Sequence, residues 1–106
     1  MNVKEFVSIW KKERDDLYSM YVSEKSDTAV SKILNDLNLD VKQKSEINKA
    51  IDFILTDTFY LFLMGLAGSA SVGGTQQDYK VYDEEGHLIF NSGDLEAEAY
   101  EQLHVE

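Results

Sequence analysis

The chain has 106 residues, a mass of about 12.1 kDa and a net charge of −10, with 43% hydrophobic residues and 11% aromatics. That is enough apolar material for one folded domain and too little chain for two cores. Having no Cys excludes a disulfide scaffold, a thiol nucleophile and a Cys-based metal centre, and the charge argues against a duplex nucleic-acid binder, whose phosphate contacts need Lys and Arg.

The first predicted element is a helix over about 3–21. At about 100° per residue, Val3, Phe6, Val7, Ile9, Trp10, Leu17, Tyr18, Met20 and Tyr21 fall on one side. Glu13 and Arg14 interrupt that side, and Arg14 sits in its seam. A second helix is expected over about 28–38, with Ser26 or Asp27 as N-cap and an apolar stripe through Ala29, Val30, Ile33, Leu34 and Leu37. Asp40 is a candidate N-cap for a third helix over about 41–66. Its first half is amphipathic through Ile47, Ala50, Ile51 and Ile54. Its second half is apolar nearly all round, which predicts a long central helix that ends buried in the core. Gly65 or Gly68 is expected to end it in the left-handed conformation.

Asp57 lies in this apolar second half among Phe53, Tyr60, Leu61 and Met64. A buried carboxylate needs a charged or hydrogen-bonding partner, and Arg14 is the expected one, forming a structural ion pair.

After a small-residue loop at 68–74, Tyr79-Lys80-Val81-Tyr82 and Leu88-Ile89-Phe90 flank Asp83-Glu84-Glu85-Gly86. This predicts a β-hairpin over about 78–91 with Gly86 left-handed. A short last helix is expected over about 94–104, with Ser92 or Asp94 as N-cap, although Leu95-Glu96-Ala97-Glu98-Ala99 also has strand alternation. The fold class expected is mainly α (α+β), a single domain over 1–106.

The most apolar run, Phe59 to Ala67, is too short to span a bilayer, which needs about 20 residues. The start lacks a basic segment followed by an apolar one, so no signal peptide is expected. A cytoplasmic protein follows as the expectation.

Charge is distributed unevenly. Residues 1–50 carry nine bases and nine acids, whereas residues 51–106 carry eleven acids and only Lys80. Asp83, Glu84 and Glu85 at the hairpin tip and Asp94, Glu98 and Glu101 on the last helix are expected to form one acidic surface. Tyr79 or Tyr82 is a candidate aromatic anchor. The bland reading is a solvated, solubilising face; the sharper one is an electrostatic docking surface for a basic protein.

Chemistry-bearing motifs are lacking. The glycine loop leaves a helix instead of opening one and has no following Gly-Lys-Ser/Thr, so it does not suit phosphate. A calcium loop with Gly86 sixth would need Val81 as its first ligand. His87 and His104 have no metal-ligand spacing and no Gly-x-Ser-x-Gly elbow is present, so neither a catalytic motif, a metal nor a cofactor is expected.

The stretches Leu55-Thr56-Asp57-Thr58-Phe59-Tyr60, Gly68-Ser69-Ala70-Ser71-Val72-Gly73-Gly74 and Tyr79 to Gly86 resemble small bacterial proteins of unassigned function. In size and acidity the chain resembles, by type, the immunity proteins of bacterial toxin–immunity systems. That resemblance implies a cytoplasmic inhibitor that occupies the active groove of a basic toxin or nuclease, and it assigns no individual residue. Two alternatives remain open: a homo-oligomeric helical module, and a small enzyme or ligand-binding domain using the 65–74 loop with Asp57 or His87.

Overall fold

The computed structural model describes residues 1–104, with only the backbone considered at Ser92. It contains four helices: α1 (Val3–Val22), α2 (Ala29–Asp36), α3 (Val41–Leu66) and α4 (Ser92–Leu103).

Local chemistry sets the helix ends. Asn2 caps α1 in a reciprocal arrangement with Glu5, and Asp40 caps α3 in the same way with Gln43. Thr28, two residues or one beyond the expected caps, accepts from the Ser31 N–H and opens α2. Asn91 occupies the N-cap of α4 without a side-chain bond, so α4 begins earlier than expected and Asp94 lies inside its first turn. At the other end of α3, Gly68 takes φ +78°. The N–H groups of Gly68 and Ser69 donate to the carbonyls of Gly65 and Met64, closing the helix in a Schellman turn.

α1 and α3 run antiparallel. Phe6 and Val7 share a cluster with Leu63 and Met64, Trp10 packs on Phe59 and Phe62, and Arg14 reaches Thr56 and Asp52. α2 bridges the far end, where the buried Ser31 hydroxyl lies 3.0 Å from the carbonyl oxygens of both Met20 and Tyr21. α4 packs against α1 and α3 at the near end only, contributing fully buried Leu95 and Ala99.

The core therefore occupies one lobe, built from the start of α1, the end of α3, α4 and Ile89-Phe90 of the preceding loop. The rest is a thinner arm. The molecule measures 48 × 29 × 27 Å, and its radius of gyration of 16.5 Å exceeds the roughly 13 Å of a compact chain this long.

Two expectations are corrected here. The β-hairpin over 78–91 is not formed, and no strand occurs among the described residues. The turn survives as one isolated antiparallel bridge, Tyr82 to Leu88, with the Ile89 N–H donating to the Val81 carbonyl and Gly86 at φ +87°. The reason is burial. Consecutive residues Ile89 and Phe90 are both drawn into the helical core, whereas a strand would send them to opposite faces. A lone two-stranded ribbon has little stability of its own to resist that. The mainly-α class stands.

The second correction concerns how far the central helix is buried, although its C-terminal end does lie in the core at Leu63, Met64 and Gly65. α3 buries only Leu55, Leu63, Met64 and Gly65, and leaves Phe53, Ile54, Leu61 and Phe62 between 45% and 68% exposed. α4, at 12 residues, spans about 18 Å of an α3 that is about 39 Å long, so most of α3 has no helix over it on that side.

Candidate partner-binding surface

The acidic turn is built around Asp83. Its Oδ1 accepts from the N–H groups of Glu85 and His87, each at 3.0 Å, and its Oδ2 lies 3.1 Å from the Met1 amino group. The His87 N–H, the terminal ammonium and the Glu85 N–H together hold the Asp83 carboxyl down at about 2. In return Asp83 raises the amino group above its ordinary value. Asp83 thus organises the turn and is itself half-buried. Glu84 and Glu85 project from it into solvent, and the His87 ring stands 3.8 Å from Glu85.

On α4, Asp94 and Glu101 are exposed. Glu98 is half-buried and accepts from Gln102 at 2.8 Å. Gln102 also donates to the Lys4 carbonyl and accepts from Ser8, so this stretch faces α1. Tyr79 is half-buried and Tyr82 is 55% exposed.

The six expected carboxylates do not make one surface. The 83–85 turn lies over the Phe6–Ile9 flank of α1, where Tyr82, Glu84 and Glu85 line a cleft with Ile9 and Trp10. α4 lies on the Lys4–Ser8 flank. These are two acidic patches on either side of one helix. Glu96, absent from the expected set, accepts from Ser69 at 2.9 Å and ties α4 to the glycine loop.

The expected Arg14–Asp57 pair is also corrected. Arg14, its side chain 12% exposed, pairs with Asp52 and Asp15 and donates to Thr56 Oγ1 and the Asp52 carbonyl. Asp57 is exposed and has no cationic partner among the described residues. It lies about 140° around α3 from Asp52, away from α1.

The principal clefts leave out the 65–74 loop; the Val72 side chain instead packs over Gly65. Among the described residues no cluster of three or more acidic or His side chains could hold a metal ion, and no helix is long and apolar enough to cross a membrane.

One surface was not legible as a site in advance. Ile9, Trp10, Phe59 and Phe62 carry an apolar pattern that marks them for burial, yet Ile9 is 50% and Phe62 45% exposed. Periodicity identifies an apolar face; it does not say whether the chain supplies a cover for it.

No family model, curated protein or solved structure matches the chain.

Proposed function

We propose that the chain is a protein-binding module for a basic partner, acting in the cytoplasm. In its most concrete form it is an immunity protein that neutralises a basic toxin or nuclease by occupying its active groove. One observation carries this reading. Asp78, Glu84, Asp94, Glu96 and Glu101 are all exposed and, among the described residues, none has a cationic partner. Elsewhere opposite charges are mixed: Lys11–Asp15, Lys12–Asp16 and Lys44–Glu24 pair directly, and residues 1–50 carry nine bases against nine acids. An unpaired single-sign field steers oppositely charged surfaces and raises association rates.

The test is capture of a basic protein from host lysate at low salt, followed by association kinetics with the purified partner over a range of ionic strength. Association should slow steeply with salt. A salt-independent association rate refutes the reading. The second reading, a homo-oligomeric helical module, is favoured by the exposed Phe53, Ile54 and Leu61 of α3, and sedimentation at several concentrations tests it.

A further inference from the structure

Two antiparallel helices present two grooves, one on either side. α4 occupies the near end of the groove on the Lys4–Ser8 flank of α1. Among the described residues no helix fills the other. Its floor is Trp10, whose ring centroid lies 6.1 Å from that of Phe59 and 5.4 Å from that of Phe62. A cleft over Trp10, Thr58, Phe59 and Phe62 adjoins the cleft that runs past Ile9 to Tyr82, Glu84 and Glu85, with Trp10 common to both.

We infer that this groove receives an amphipathic helix of the partner protein, with apolar side chains along one face and Lys or Arg at the end that meets residues 84–85. The inference rests on the protein-binding reading above and names the element of the partner that docks. The apolar floor suits leucine-like side chains at i, i+3, i+4 and i+7 spacing, with Trp10 and Phe62 as anchors. Charge selects the occupant. Glu84 and Glu85 close one mouth, and the exposed Glu13 lies on the same flank of α1. A second copy of this chain would bring one chain of net charge −10 against another, which a basic helix avoids.

The experiment uses the full chain, whose single Trp lies in the groove and reports on it. The probe is a synthetic helix of Leu and Lys, about five turns long, with Leu at the stated spacing. The control is the same peptide with every Leu replaced by Ser. The Leu–Lys peptide should shift Trp10 emission saturably at one-to-one stoichiometry. Ile9→Asp should weaken it about tenfold or more. The double change Glu84→Gln with Glu85→Gln should weaken it severalfold at low salt and little at high salt. Ile33→Asp, at an exposed apolar residue of α2, should change nothing.

Equal binding of the Ser control, or full affinity in Ile9→Asp, overturns the inference. So does a concentration-dependent dimer that Ile9→Asp dissolves, which would assign the groove to a second copy. The two readings fail separately. A natural basic partner that binds Ile9→Asp at full affinity with steep salt dependence leaves the protein-binding reading standing without the groove. A partner lost on Ile9→Asp whose association ignores salt removes the electrostatic reading and keeps the groove.

Discussion

The two aspartates of α3 make opposite predictions. Asp52 pairs with Arg14, whose side chain is 12% exposed, while Asp52 itself is 50% exposed. Exposed pairs contribute about 0.2–1 kcal/mol, and breaking a fully buried pair costs about 3–5 kcal/mol. With one partner buried and the other half in water, the low end of the gap applies. Asp52→Asn also keeps a carbonyl oxygen that can accept from the guanidinium, and Arg14 retains Asp15, Thr56 and the Asp52 carbonyl. The expected loss is therefore about 1 kcal/mol. At roughly 2.1 cal/mol/K of unfolding entropy per residue, that lowers Tm by about 4–5 °C. Asp57→Asn removes an exposed, unpaired carboxylate from a chain of net charge −10, so its effect should stay within about 0.5 kcal/mol. Thermal unfolding followed by circular dichroism at neutral pH measures both. A loss in Asp57→Asn equal to or larger than that in Asp52→Asn would refute the α1–α3 register described here.

Other expectations can be checked with the same instruments. Leu63→Ala, at a fully buried position between α1 and α4, should cost about 3–5 kcal/mol, the range for core Leu truncations, read by urea denaturation. Asp83→Asn tests the acidic turn. Its folded carboxyl is depressed to about 2, so its contribution is present above the ordinary carboxylate range and is lost as pH falls from about 4 through about 2. The variant should melt lower than the parent at pH 6, and the two should converge near pH 2. Ser31→Ala leaves the Met20 and Tyr21 carbonyls without the hydroxyl that lies between them, at about 1–2 kcal/mol, and should speed amide exchange in α2 more than in α4.

How much of this was legible in the sequence depends on what each element answers to. α1 and α3 follow from apolar periodicity, α4 from helix-favouring composition, and the start of α3 from Asp40, because these are local effects. The hairpin did not follow. Tyr79–Tyr82 and Leu88–Phe90 have strand composition, but the helices supply a place to bury Ile89 and Phe90 together, and strand preference yields to it. The Arg14 partner failed for a related reason. Asp57 has the more apolar neighbours, but the α1–α3 register brings Asp52 to Arg14, and the short α4 leaves Asp57 in water. The acidic residues were legible as charge. Their division between two flanks of α1 was not, because it depends on which side the 76–91 segment crosses.

α3 belongs to both lobes without a break. One end is locked by the Schellman turn and the core around Leu63 and Ala67; the other lies in the arm, where α2 packs on α1 and Lys44 of α3 pairs with Glu24. A continuous helix about 39 Å long transmits a tilt at one end to the other. Val41 lies about 32 Å along the axis from Phe62, so a tilt of about 3° there would move Val41 by about 1.6 Å. A partner seated over Trp10 and Phe62 would sit beside that point, and by fixing the tilt it would set the position of the start of α3, including surfaces it never touches.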